Sequence, residues 1–505
     1  MPSLSKTGKW RRRLRWALWV ALGFAILVVI GVGITWYALE RIAAEGKKKL
    51  AAAIDETDAL DPRWRWEQIQ EDLPAISGAK NSMRIISQVS DSLEGWNPSF
   101  LSSANGDHVV DELDESPPNR RLEEGRCSLI QDVLKEHEPS LALAASLKDF
   151  PDGQTSIQLS PFFIETSLKH AQDYLSVISL LELDIERLLQ QGRPEEAALR
   201  IHAILHAGAG LREDPFLMSQ LVRMSGRSKS VMRAERLLGM AELQDDALKI
   251  LMEHFRAELN EKLLLTAIRG ERAGWHLQME NLESGKVRLI DFFALREDNK
   301  RAELDALQRV GAVVYQARLY EDHSYMLQQY NRTLEISQLP DPEQTKAWNE
   351  WINEFRATTS DAFAKKRLIL SKLMFPAVQK CGEALLRNKA RLSCALAAIA
   401  AERFRLKNKR WPKDFRELCP NYLKEIPISA ADGKSLKLIH RNDGIVIYAF
   451  DVGGFDDDDD DISKHSLDED DPKGLGVRLW NPDHRRMPPL PKKKEQPKDD
   501  DDRET

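Results

Sequence analysis

Residues 16–39, WALWVALGFAILVVIGVGITWYAL, contain no charged side chain. As a helix rising ~1.5 Å per residue this run covers ~36 Å, enough to cross a ~30 Å hydrocarbon core with some tilt. Trp16 and Trp19 stand near one end and Trp36 and Tyr37 at the other, where amphipathic rings favour the two membrane interfaces. The run reads as a transmembrane helix, and the rest of the chain hangs from it.

The charges on either side set the expected orientation. Lys6, Lys9, Arg11, Arg12, Arg13 and Arg15 precede the span with no acidic residue among them, which favours a cytoplasmic N-terminus. Arg41, Lys47, Lys48 and Lys49 follow it, partly offset by Glu40 and Glu45. A cleaved signal peptide also has a basic start and an apolar middle. Here the uncharged run exceeds a usual apolar region and Thr35 to Glu40 offers no small-x-small cleavage site. An uncleaved anchor is the expectation.

The 505 residues suffice for one large domain and a small one. The net charge of −7 misleads, because residues 451–472 hold a local −10 and leave the remainder at +3. A near-neutral body has no basic footprint for nucleic acid. Four cysteines, Cys127, Cys381, Cys394 and Cys419, make no disulfide scaffold. Cys381 and Cys394 fall on one expected helix, ~20 Å apart, and cannot pair. A Cys394–Cys419 bridge stays open.

Proline placement outlines the body. Eight of the 23 prolines fall between Asn119 and Arg410, and none between Phe216 and Leu339, which marks long helices. Gly192-Arg193-Pro194 reads as a helix stop followed by a start. DPRWRWEQIQEDLP, residues 61–74, predicts a short helix with Asp61 as cap and Pro62 in its first turn; Trp64 and Trp66 read either as an interfacial belt or, the favoured expectation, as core anchors, being flanked by Arg63, Arg65 and Glu67. A further helix is expected after Pro376. The period then switches: residues 435–441 and 444–450 alternate around Asn442-Asp443-Gly444, a hairpin signature, and residues 476–480 offer a third strand. The expected fold is mainly α. Residues 1–15 form a basic cytoplasmic segment, 16–39 the transmembrane helix, 40–118 a helical stalk and linker, and 119–393 a large irregular α-helical bundle. Residues 394–480 form a small α+β unit with a β-hairpin and an acidic loop at 451–472, and 481–505 a disordered charged tail.

The segment from AAERFRLKNKRWPKDFRELCPNYL to SLKLIHRNDGIVIYAF resembles the C-terminal half of type II secretion major-pseudopilin-like proteins. The shared features are a helix ending in RWP, a Pro-Asn-Tyr-Leu segment, an AxDGKxLxL turn and a strand pair before an acidic loop. The match covers roughly residues 394–461, and no prepilin cleavage site is present. The order anchor, DPRWRWEQI, DPFLMSQLVRM, IRGERAG and this module is similar to uncharacterised membrane-anchored helical proteins of planctomycete-type bacteria. That resemblance implies a bacterial cytoplasmic (inner) membrane address, and the cytoplasmic N-terminus expected from the flanking charges puts the C-terminal body outside.

Asp451 and the run Asp456 to Asp461 offer carboxylates to Ca²⁺, and the pseudopilin resemblance implies calcium near this loop. The EF-hand template fails, however: Asp461 stands where Gly is required and Leu467 at the twelfth position. A solvated, self-repelling loop is the plainer reading. His202 and His206 stand four apart on one helix, a spacing that suits a shared metal, but no third ligand is evident. Packed histidines are expected. Glu271 falls on the stripe of Leu264, Ala267 and Trp275, and a carboxylate drawn into a helix interface needs a partner, for which Arg269, Arg272 or an arginine from another helix is expected. No Walker A, GxGxxG, GxSxG, HExxH or CxxC pattern occurs. No catalytic, cofactor-binding or metal residue is therefore assigned. The sequence favours a single-pass envelope protein with a non-catalytic interaction or scaffold module, the bilayer and an envelope protein being its partners. Two alternatives stand beside it: a membrane-tethered hydrolase using Glu271, and an accessory component of a secretion or pilus-like system.

Overall fold

The computed structural model describes residues 6–93, 116–294, 306–361, 364–450 and 474–490. In chain order its helices are α1 (Lys6–Leu60), α2 (Trp66–Glu71), α3 (Ser82–Ser92), α4 (Glu124–Glu136), α5 (Glu138–Ala145), α6 (Lys169–Gln190), α7 (Pro194–Ala209), α8 (Leu217–Met240), α9 (Asp245–Leu259), α10 (Leu263–Glu283), α11 (Leu289–Ala294), α12 (Ala306–Gln338), α13 (Asp341–Ser360), α14 (Ala364–Arg367) and α15 (Ile369–Asn408). The strands β1 (Lys437–Arg441), β2 (Gly444–Phe450) and β3 (Gly474–Trp480) form one antiparallel sheet in that order. The acidic run expected to attract calcium lies outside the described residues.

Helix α1 carries the apolar run and continues past it without a break. Side chains 16–38 are all exposed, and among the described residues α1 is the helix long and apolar enough to cross a membrane. Beyond residue 38 the pattern changes. Leu39, Ala43, Gly46, Leu50, Ala53 and Thr57 turn inward at alternating steps of four and three, the spacing that keeps one seam facing a partner helix. That partner is α12. Leu50, Ala53 and Trp64 cluster with Leu327, Lys49 pairs with Glu321 at 3.2 Å, and Asn331 Nδ2 donates to the buried Thr57 hydroxyl at 3.0 Å. Gly46 permits the contact: a Cβ there would lie 3.0 Å from Tyr320 Cβ and 3.2 Å from the Glu321 nitrogen.

Two apolar clusters form the body. One gathers α3 to α9, the second half of α15 and the inner face of the sheet. The other gathers α2, α10, α12, α13 and the first half of α15. Helices α8 and α15 contribute to both, so the two clusters share rigid spines. The α6–α7 corner follows its sequence closely. Gly192 takes φ +73, the Arg193 nitrogen donates back to Leu188 O at 2.9 Å, and Pro194, Glu195 and Glu196 open α7, where the dipole favours acids.

Helix α8 crosses the interior with Arg223, Arg227, Arg233 and Arg236, each at most 2 % exposed. A buried cation persists only when paired and hydrogen-bonded, and every one faces a carboxylate. Glu258 of α9 takes Arg223 and Arg227 at 3.0 and 2.6 Å. Glu182 of α6 takes Arg233 at 2.9 Å and Lys229 at 2.5 Å. Glu186 accepts from Arg236 Nη2 at 2.6 Å. Burial alone would raise these carboxyls, yet the facing cations hold all three below the ordinary range.

Several expectations require correction. The short helix begins at Trp66, not at Asp61-Pro62, because the Asp61 carboxylate is claimed by Arg269 at 2.8 Å and by Arg272. Helix α15 starts before Pro376 and runs through it, so residues 393 and 394, the expected boundary, lie in the middle of one helix. Residues 481–490, expected within a disordered tail, are packed on the body. Arg485 reaches both oxygens of the fully buried Glu402, at 2.9 and 2.8 Å, and the Met487 nitrogen donates to Asn119 O. All four cysteines are free thiols. Cys394 sits in the core with Sγ 3.4 Å from Leu475 O, away from any bridge to Cys419.

Substitution Gly46→Leu is expected to destabilise the detergent-solubilised protein by about 1–3 kcal/mol through overpacking of the α1–α12 seam, measured by denaturant titration. Arg236→Ala, which strands Glu186, is expected to cost about 3–5 kcal/mol, whereas the double substitution Glu186→Leu with Arg236→Met restores most of it.

Candidate functional site

The three stretches DPRWRWEQI, DPFLMSQLVRM and IRGERAG, far apart in sequence, converge at the N-terminus of α8. Helix α10 supplies the IRGERAG stretch, and its two glycines let it approach closely. A Cβ on Gly270 would lie 2.0 Å from Pro215 O, and one on Gly274 would lie 2.1 Å from the Phe163 ring. Arg269 and Arg272 point from one side of α10 to Asp61. Glu271 points from the other side to α8. Trp66 meets Phe216 edge-on at 5.7 Å, Phe163 stacks on Phe216 at 5.1 Å, and Trp64 packs on His276 at 4.7 Å.

Among the described residues, therefore, Glu271 meets no arginine partner of the kind the sequence suggested. Its Oε1 accepts the Leu217 N–H at 2.9 Å and its Oε2 the Trp275 indole N–H at 3.1 Å. Asp214 accepts the Phe216 N–H at 3.0 Å and pairs through its other oxygen with His170 Nε2. Gln220 donates to the carbonyls of Leu211 and Asp214, each at 2.7 Å. Two carboxyls thus satisfy consecutive N–H groups at the opening of α8, where a helix has unpaired donors and a positive dipole end. Burial, helped by the Asp214 charge, pushes Glu271 up to about 7 against the lowering effect of its two hydrogen bonds. A carboxyl poised near neutrality beside a histidine–aspartate pair has the makings of general acid–base chemistry. A small cavity opens beside Asp214, and Glu271 does not line it. At about 10 Å³, touching also Pro215 and Gly210, it has room for roughly one water. Ligand pockets ordinarily span ~300–1,000 Å³.

The histidines chosen from the sequence meet a third. His254 of α9 packs on His202 at 4.3 Å and on His206 at 4.7 Å between ring centroids. Burial, with the neighbouring imidazoles, drives His202 down to about 3. Among the described residues no group of three His, Cys, Asp or Glu side chains is placed to hold a metal ion. A second histidine pair, invisible in the sequence, links α10 to α12. His276 Nδ1 and His323 Nε2 lie 2.8 Å apart, and His323 Nδ1 lies 2.8 Å from Glu283 Oε1. Burial lowers both imidazoles to about 3 and raises Glu283 to about 8, so neutral groups share protons along this line.

The Asp214-Pro215 dipeptide ahead of an apolar run is a helix-start signal that could have flagged Asp214. Its meeting with Glu271 could not be read, since 54 residues separate Leu217 from Glu271. No family model, no curated protein and no solved structure matches the chain.

A pH titration of stability tests the Glu271 environment. Below pH 4.5 the carboxyl is protonated both folded and unfolded and contributes nothing. Between 4.5 and about 7 the unfolded chain loses this proton and the folded one keeps it, so stability falls as pH rises. Relative to wild type, Glu271→Gln is therefore expected to gain stability across that window, by up to about 3 kcal/mol above pH 7. His202, His276 and His323 contribute with the opposite sign from about 3 to 6.5, and the difference between variant and wild type removes them. Denaturant midpoints at four pH values give the comparison, and parallel curves would refute the shift.

Proposed function

We propose that this chain is a single-pass bacterial inner-membrane protein, N-terminus inside, whose helical body serves outside the cytoplasm as a non-catalytic interaction or scaffold module. The observation that carries this reading is the unbroken passage of α1 from its exposed apolar run into the seam with α12. A helix that enters the body without a hinge transmits the position of the body to the bilayer, which suits a mount for other envelope proteins. The basic N-terminal segment supports the orientation. The paired charges along α8 support a body that keeps one shape.

A second reading, a membrane-tethered hydrolase, is favoured by one observation: Glu271 is near neutrality with Asp214 and His170 converging on the same helix end. The cavity beside Asp214, with room for roughly one water and without Glu271 in its wall, gives it no support. An accessory role in secretion rests on the resemblance of the C-terminal module alone.

Protease added to intact spheroplasts tests the orientation, and in-cell cross-linking followed by purification from solubilised membranes tests the scaffold role. The expected results are digestion of the body from outside and a stoichiometric envelope partner that Glu271→Gln leaves bound. A protected body would overturn the orientation, and the absence of a stoichiometric partner would overturn the scaffold role.

A further inference from the structure

Helix α8 brings two guanidinium groups to one carboxylate. Arg223 and Arg227, one turn apart and each 1 % exposed, both reach Oε2 of Glu258, at 3.0 and 2.6 Å. That leaves Nε and Nη1 of Arg223 and both Nη atoms of Arg227 buried with no partner among the described residues. A guanidinium nitrogen only donates, and a buried donor left unpaired carries the full cost of its desolvation. The charges are uneven as well. Glu261 stands at the rim, 3.7 Å from Arg223 Nη2 and already engaged by Arg212 at 2.8 Å. Burial keeps His206 and His254, which also feel Glu258, below their ordinary range, so neither adds a fixed charge. At this place two cations share Glu258.

We propose that the free edges of Arg223 and Arg227 hold one small inorganic anion, of the chloride class, within the packing of α6, α7, α8 and α9. Its single negative charge completes the balance that Glu258 leaves short. Glycine provides the room. A Cβ on Gly208 of α7 would lie 3.9 Å from Arg223 Nε and 3.3 Å from the Tyr174 hydroxyl of α6, so a glycine here leaves space beside an unpartnered donor. Tyr174 is drawn in over a second glycine, since a Cβ on Gly226 would meet its hydroxyl at 1.7 Å, and brings its O–H to the same space. Water satisfies such a set poorly, because it must also place two hydrogens of its own, whereas a halide only accepts. Burial and the neighbouring Arg223 charge pull Arg227 down to about 10 although Glu258 opposes the shift, the direction expected of a cation short of counter-charge. The anion then helps to fix α8 against α6 and α9, independently of the membrane reading and of the scaffold role.

Halide dependence of the full-length, detergent-solubilised protein tests this. Protein dialysed into sodium gluconate is titrated with sodium chloride or sodium bromide in the millimolar range at constant ionic strength, and the melting temperature is followed. Wild type is expected to gain a few degrees, saturably, with either halide. Arg227→Met and Arg223→Met each leave a single balanced pair with Glu258, and each is expected to fold and to lose the response. An anion too enclosed to exchange is detected by denaturing the dialysed protein and assaying the chloride released, one per chain for wild type and none for either variant. A wild type that shows neither a halide response nor released chloride overturns the proposal and leaves these donors to water. A response that persists unchanged in both variants belongs to an anion bound elsewhere and overturns it equally.

Discussion

The seam between α1 and α12 is the contact from which the rest of the architecture takes its bearings. An apolar helix exposed along residues 16–38 has no reason to hold any fixed relation to the rest of the chain unless something couples the two. The coupling is made by small residues at heptad spacing, with Gly46 against Tyr320, Ala53 near Leu327 and Thr57 on Asn331. Because α1 is continuous through this contact, the apolar run and the body share one helix axis. Trp64 caps the far end of the seam, buried between Asp58, to which its indole donates at 2.7 Å, and His276. From there DPRWRWEQI carries the chain to α10 and to the opening of α8.

Behind the seam the interior is unusually ionic. The four arginines of α8, and Arg405 and Arg485 around Glu402, replace apolar contacts that would cost less to desolvate. Such pairs add little net stability but penalise misregistration heavily, since a shifted helix strands a buried charge. Helix α8 can therefore sit against α6 and α9 in one register. That fixes its N-terminus, and with it the place where Glu271 and Asp214 meet. The raised carboxyl at Glu271 follows from the same low-polarity surroundings that make the arginine pairs strong.

What the sequence made legible was local chemistry. The uncharged run, the Gly192-Arg193-Pro194 corner, the burial of Trp64 and Trp66 and the hairpin at Asn442-Asp443-Gly444 all depend on neighbours a few residues away, and the structure contains each of them. What it concealed was long-range pairing. Asp61 looked like a helix cap because a cap needs only the next three residues, whereas its partners Arg269 and Arg272 arrive from α10. Arg485 looked like part of a charged tail until Glu402 supplied its buried counter-charge. Glu271 was correctly placed at a helix interface, but its partner was a helix terminus and an indole instead of an arginine. His254 joined His202 and His206 from another helix, and Pro376 failed to end α15 because both halves of that helix are buried in the two clusters.

Rigid coupling between the apolar run and the body is the central physical claim, and hydrogen exchange of the full chain in lipid nanodiscs measures it most directly. Amides from residue 40 through residue 58 should exchange slowly and as one cooperative block, at rates matching the buried core of α12. A fast-exchanging stretch between Leu39 and Leu50 would mean a hinge at the end of the apolar run, and would contradict a body held in a fixed orientation to it.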